Sequence, residues 1–593
     1  MIDLLYEMDG KSSATPINAK EIKLKSDWNN NSIEDKSEAE VSTNSLQFAL
    51  SDATAINDRI ASGLNGGFGI FEGVPYKIKL RDLTSGVTAE ILDGYIDLAD
   101  EHSIISCDQV DSVIKKRKNL DWLTTQADGI SFGYLADIGV ITIADYYTVP
   151  YVLNQRPEAF AVVMISMSIY MTTVALIDAI KALANSIADF AAIPFAGVGV
   201  NIGAIIAAAL RVVAAAIYAA ALVVALVAMI KELIDQLFPP VRRGRGMRLE
   251  VMFQKVSQHL GLTFSSTIFN IPKWKNAIYY PQKSEGGGIL GAVKGVGHPN
   301  QSSPIYNCGD FFRIFKDGMN AQFKIDGTTL HFERSDFWDS KAVWTLPDVE
   351  TDQSKRLSSF NYNTSEILSN LMIGLQTDYQ DENTLENFKG TNYQIITQPN
   401  AIGNLDYVNI KGFADVRLPF ARATRKDSLT VVEALLASLA NIVDSTINFL
   451  GGSSKLASTI TNRKGMMALS ADTTGVDKLL IMNGQNIPLN KADQLNASDF
   501  WDFHAINSFV EITDPLTGSL VHNQYKIFEG VRIPFCYEDW LALLGNNKFL
   551  TSDGKIGEMN TVEWDIQNEE ANISYKIKHL YTKNLKLAFN EGE

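Results

Sequence analysis

Three cysteines, Cys107, Cys308 and Cys536, and seven histidines are the residues with which this chain could do nucleophilic or metal chemistry. Cys308 is the one placed for it. It precedes an amphipathic segment starting Gly309-Asp-Phe-Phe-Arg313, and a helix N-terminus lowers a thiol's pKa and readies the thiolate. His331 follows on an alternating segment, where a cysteine peptidase would carry its base. Against this, Asp310 opposes a thiolate, and Asn307-Cys-Gly-Asp310 lacks the small-residue surroundings of such enzymes. A buried, inert cysteine is the plainer reading, and no catalytic residue is assigned. His331-Phe-Glu333 has the HxE spacing of a zinc deaminase but no PCxxC partner. Both side chains are expected on a wet strand face, so no metal ligand is assigned. The pairs Glu538-Asp539 and Glu569-Glu570 are adjacent and point apart on either kind of element, which rules out a facing acid/base pair. HExxH and GxSxG are absent. Gly10-Lys11-Ser12 has Leu5 where a phosphate loop needs its first glycine, and Gly197-Val-Gly199 lies in an apolar run rather than after a strand. No cofactor is implied.

The formal net charge of −16 argues against sequence-specific nucleic-acid binding, which needs a basic surface. Three scattered cysteines fit no disulfide framework, so synthesis in a reducing cytoplasm is expected. The acidic start Met1-Ile-Asp-Leu-Leu-Tyr-Glu-Met-Asp9 lacks the basic-then-apolar order of a signal peptide.

Any site must be positioned by the elements around it. Residues 1–155 are expected to form a β-rich domain. Leu46 to Leu50 alternates, and Tyr76 to Leu80 and Ala89 to Leu98 make a hairpin with one wet face. A strand pair is expected at 104–114. From 247 to 425 the pattern is α+β. An amphipathic helix at 251–259 closes at Gly261, and a second at 310–316 closes at Gly318. Asp326-Gly327 joins two alternating segments as a hairpin turn. Residues 282–300 are glycine-rich and read as a loop. From 426 to 593 a second α+β domain is expected, with helices at 428–450 and 537–544, a turn at Asp553-Gly554 and closing strands.

Residues 156–246 differ in kind. Ala159–Ile177, Phe190–Leu210 and Val212–Ile230 carry no charged residue, and each is near the ~20 residues that span a bilayer core. Helices over roughly 157–190 and 200–237, joined at a Pro/Gly corner, are expected to form an apolar hairpin. Its membrane-facing or lumen-filling side chains are Phe160, Val163, Ile169, Val174, Ile177, Val213, Ile217, Leu222, Leu226 and Ile230. Gly199, Gly203 and Ala207 form a row of small residues that permits close helix approach. Asp178, Lys181, Asn185 and Asp189 form one polar stripe, and Arg242, Arg243, Arg245 and Arg248 form a basic flank of the kind that meets headgroups. The alternative is a buried helical pair shielded within an oligomer.

Three segments resemble the tail-hub (baseplate hub or tail-tip) proteins of tailed phages and related contractile injection systems. They are Leu92-Asp-Gly-Tyr-Ile-Asp-Leu98 with Ile104-Ile-Ser-Cys107, then the helix–glycine–strand units Phe253–Phe264 and Phe312–Phe332, and finally Asp553–Gly557 with Val562–Asp565 and Ile573–Tyr581. The resemblance implies a non-enzymatic, homo-oligomeric ring, a trimer, that closes the tail tube. Such a ring would touch tube or tape-measure protein on one side and fibres or spike on the other. The expected place is the virion tail tip, with the hairpin either filling the lumen or entering the host membrane at infection to aid DNA delivery. A pore-forming toxin whose hairpin permeabilises membranes is the alternative from another class. The expected fold is α+β and multi-domain, with β-rich hub domains and a long apolar α-helical hairpin insertion.

Overall fold

The computed structural model describes residues 2–153 and 241–578. Outside the description within these limits lie 13–14, 29–37, 64–72, 84–87, 117–118, 282–305, 335–336, 348–360, 364–367, 382–391, 397–411, 470–475, 484–486, 505–511, 514–519, 522–524 and scattered positions, most of them between 424 and 454. The described chain is β-rich and is built from several sheets. This corrects the expectation of an α+β fold carrying a long apolar helical hairpin. Among the described residues no helix is long and apolar enough to cross a membrane. The helix Ser51–Gly63 has 13 residues, against the ~20 that a bilayer core requires. The hairpin from Phe160 to Ile230, its small-residue row and its polar stripe Asp178, Lys181, Asn185 and Asp189 lie outside the described residues.

One large sheet is made by both ends of the chain. Its order is Asn361–Asn363, Tyr525–Pro534, Glu570–Lys578, Ile556–Asp565, Lys23–Asp27, Glu40–Thr43, Ile114–Lys115, Thr88–Ile96, Val74–Asp82, Ile2–Met8 and Lys11–Ser12. Lys548–Leu550 and Trp344–Thr345 attach beside Ile556–Asp565. The expected hairpin is present: Val74–Asp82 pairs with Thr88–Ile96, with Tyr76, Ile78 and Leu80 buried. The alternate residues carry charge outward. Lys77 meets Asp93 at 2.7 Å and Glu90 at 3.2 Å, Lys79 meets Glu7 at 2.7 Å, and Arg81 meets Asp3 at 2.5 Å. Such half-exposed pairs contribute little, about 0–1 kcal/mol each. Their effect is on register: a one-residue slip would turn three cations into the core.

The seam between the chain ends is Lys23–Asp27 against Ile556–Asp565, with Leu24 opposite Trp564. Both are buried, and Trp564 packs against Trp540 at 5.7 Å and Phe535 at 5.9 Å. The closing strands Ile556–Asp565 and Glu570–Lys578 form the C-terminal hairpin.

A second core gathers around Phe253. Its ring lies 4.9–6.3 Å from those of Phe264, Phe269, Phe311, Phe312, Phe315, Phe323 and Phe332. Two helix–turn–strand units supply these rings. Leu249–His259 ends with Gly261 at φ 75°, where Gly261 N–H donates to Gln258 O and Leu262 N–H to Ser257 O. That pair of bonds is a Schellman closure. Cys308–Gly318 starts on Asn307, whose side chain accepts from Asp310 N–H. Gly318 does not end it as the sequence suggests: the left-handed residue is Asn320 at φ 44°, and Gly318 is a helical residue where a Cβ would press on Leu418. The strands Thr263–Ser265, Thr329–Arg334 and Ala321–Asp326 then form one small sheet, with Gly327 turning at φ 58°.

A six-stranded sheet runs Ala421–Arg422, Lys478–Ile481, Ala277–Tyr280, Arg242–Arg248, Tyr146–Leu153 and Met467–Leu469. The described positions between 433 and 448 are helical, in keeping with the helix read there.

Phe253→Ala removes the ring at the centre of the second core. Chemical denaturation is expected to show a loss of about 3–5 kcal/mol. Val343→Ser, at a position 81% exposed, is expected to change stability by less than about 0.5 kcal/mol.

Candidate functional site

Cys308 is fully buried at the start of its helix, and its N–H donates to Ile130 O at 2.8 Å. Burial pushes its thiol well above the ordinary range, the opposite of what a nucleophile needs. His331 and Glu333 share one face of Thr329–Arg334, which is half-buried at His331 and fully covered at Glu333. Glu333 is 1% exposed and accepts from Thr267 N–H at 2.8 and 3.0 Å and from Thr267 Oγ1. Burial raises its carboxyl pKa, and the Thr267 bonds partly offset that rise. Among the described residues no group of three or more metal-ligating side chains occurs.

Arg242, Arg243, Arg245 and Arg248 lie on one strand inside the six-stranded sheet, between Tyr146–Leu153 and Ala277–Tyr280. Gly244 and Gly246 alternate with them because Tyr280 and Ile278 press on that face and leave no room for a Cβ. Arg248 stacks on Tyr147 at 4.9 Å.

The polar groups that come together do so where the two cores meet. The hairpin Ala321–Asp326/Thr329–Arg334 buries Phe323, Leu330 and Phe332 in the second core. Its other face presents Lys324 and His331, which are opposite one another in register. The Lys324 ammonium donates to the carbonyl of Gly545, the last residue of helix Tyr537–Gly545, and sits 4.6 Å from the centre of the Trp338 ring. A cation is favoured at a helix C-terminus and over an indole face. Burial still lowers the Lys324 pKa, while Asp326 and Glu38 raise it. His331 meets the same indole edge-on at 5.8 Å.

Helix Tyr537–Gly545 belongs to the first core through Trp540 and Leu543, so the hairpin bridges two interiors. Around it, Asn546 donates to Trp338 O at 2.9 Å, and Trp344 Nε1 donates to Asp539 at 2.9 Å. Asp339, next to Trp338, lies 3.6 Å from the buried Lys548 ammonium. Lys548 pairs with Glu558 at 2.8 Å, and Lys576 lies 3.6 Å from that same Glu558. Removing one partner of such a network leaves an uncompensated buried charge, whereas the intact set adds specificity more than stability.

A second buried ionic group lies in the six-stranded sheet. Lys478 is fully enclosed between Asp378 and Asp381, and Tyr279 donates to Asp477 at 2.5 Å. These groups are closed from solvent and satisfy one another, so they lock the sheet and offer no open position to a substrate.

One surface is apolar where it is open. The small sheet Leu46–Ala49, Gln109–Ser112 and Ile104–Ile105 ends on the two-residue strand Ile104–Ile105. Ile104 is 63% exposed, Ile105 41%, and Leu50 and Ile17 beside this sheet 76% and 66%. Ile17 N–H donates to Gln47 O at 2.8 Å and Leu50 N–H to Asp108 O at 3.0 Å, which fixes both at the sheet's borders. The segment from 97 to 114 carries Asp97, Asp100, Glu101, Asp108 and Asp111 and no lysine or arginine. Asp97 and Asp100 pair with Lys115 at 2.9 and 2.8 Å, so the corner is defined by its exposed apolar side chains. The sequence shows its strands but not its exposure, because alternation says nothing about which edge is left uncovered.

In the folded protein a thiol reagent at neutral pH is expected to leave Cys308 untouched until the chain is unfolded. Cys107 is exposed and is expected to react first. Cys536 is expected to react slowly, since burial and Asp539 push its thiol up to about 11. Mass spectrometry of the labelled peptides checks the order.

No family model and no curated protein matches this chain.

Proposed function

We propose that this chain is a structural, homo-oligomeric component of a phage-type tail tip, a hub that closes the tail tube against tube or tape-measure protein and fibres or spike. One observation carries the reading. Of the three segments that resemble hub proteins, strand Thr88–Ile96 of the first and strands Ile556–Asp565 and Glu570–Lys578 of the last belong to one sheet, linked through Ile114–Lys115, Glu40–Thr43 and Lys23–Asp27. The middle segment forms the compact α/β unit around Phe253 that is tied to them by Lys324.

The apolar corner supports the oligomeric part. A group of exposed isoleucines and leucine at an open strand is the kind of surface that contact with another chain would cover. A cyclic ring of identical copies is the simplest way to cover it.

Sedimentation of the purified full chain tests this. The wild type is expected at three times its 65.3 kDa mass. A variant with Ile104→Lys and Ile105→Lys is expected at the monomer mass with an unchanged far-ultraviolet circular dichroism spectrum, because both side chains are exposed. A wild type that stays monomeric at tens of micromolar overturns the proposal.

A further inference from the structure

We infer that the junction formed by Lys324, His331, Trp338 and Gly545 is an acid-sensitive latch, which holds the second core to the first while His331 is neutral and loosens when His331 is protonated. The inference does not depend on the hub reading.

The geometry supplies the sensor and the latch in one place. Lys324 makes a contact that crosses from one core to the other, through Gly545 O and the Trp338 face. His331 is its cross-strand neighbour and packs on the same indole. Its Nδ1 is buried, and no hydrogen-bond partner for it occurs among the described residues. Neutral imidazole tolerates that position. Imidazolium would place a second positive charge beside the Lys324 ammonium, with one nitrogen closed from water.

The other groups around His331 leave the burial of its ring as the main cost of the charged form. On the hairpin, Asp326 favours that form and acts more strongly than Lys324 opposes it, and Glu333, two residues along the same face, is bound to Thr267. On the neighbouring strand Thr263–Ser265, the residue in register is the uncharged Ser265. On the segment Phe337–Lys341, Asp339 is engaged with Lys548, and Lys341 adds positive charge over Phe337. Glu38 acts on Lys324. The helix end offers the Gly545 carbonyl, which Lys324 already occupies.

Burial holds the His331 pKa below its ordinary value, against the pull of Asp326 and with a smaller contribution from Lys324. The folded junction therefore binds this proton less readily than the unfolded chain does. Its stabilising contribution is complete above the ordinary histidine range and is lost as pH falls through the lowered value.

Hydrogen exchange of the full chain, corrected for the intrinsic pH dependence of exchange, tests the latch. Peptides covering 321–334 and 537–546 are compared at about pH 7.5 and about pH 5, which bracket the histidine range. The wild type is expected to exchange several-fold faster in these two peptides at the lower pH. His331→Gln keeps a similar shape without a titrating charge, and is expected to match the wild type at the higher pH and stay flat. Lys324→Met removes the second cation and is expected to reduce the pH step, which gives a reading even if the glutamine variant folds poorly. A wild type with no pH step in these peptides overturns the inference. So does a His331→Gln variant that keeps the full step.

Discussion

The pairing of Lys23–Asp27 with Ile556–Asp565 is the constraint on which the rest depends. It joins strands more than five hundred residues apart in sequence and turns two β-rich ends into one sheet. Leu24 and Trp564 sit opposite each other in the seam, and the tryptophan carries Trp540 and Phe535 with it. Helix Tyr537–Gly545 is fixed by that packing, so its C-terminal carbonyl stands where Lys324 can reach it. The second core is thereby referred to the first. Contacts this distant in sequence carry a high entropic cost of closure and repay it only when the whole interior forms.

The chemistry of the molecule follows from what is buried. Cys308, Glu333 and Lys478 would each be reactive in another setting, and each is closed in and committed: the thiol to packing, the carboxylate to Thr267, the ammonium to Asp378 and Asp381. The exposed features are of a different kind. Among the described residues they are ladders of weak ion pairs that hold register, and an apolar corner. Among the described residues, the buried polar groups hold one another in place.

Much of this was legible locally. The alternation from Tyr76 to Leu80 reveals the hairpin because lysine and arginine occupy every second position. Asp326-Gly327 reveals a turn because only a residue tolerant of positive φ closes it. Gly261 reveals the end of its helix for the same reason. Where two residues compete the reading slips: Gly318 looks like the terminator, but Asn320 takes the left-handed position and Gly318 is kept small for Leu418. The arginines from Arg242 to Arg248 look like a flank by charge, yet the glycines between them fit a strand pressed by Tyr280 and Ile278. Period two places His331 and Glu333 on one face, but not what covers that face. The seam itself leaves no local trace, since neither strand announces its partner.

Hydrogen exchange in a Trp564→Ala variant tests the seam most directly. If both ends form one cooperative sheet, strands Ile2–Met8, Lys23–Asp27 and Val74–Asp82 are expected to lose protection together with Ile556–Asp565 and Glu570–Lys578, although the substitution lies near the C-terminus. Loss of protection confined to the C-terminal strands, with the N-terminal strands as protected as in the wild type, would contradict a sheet shared by both ends.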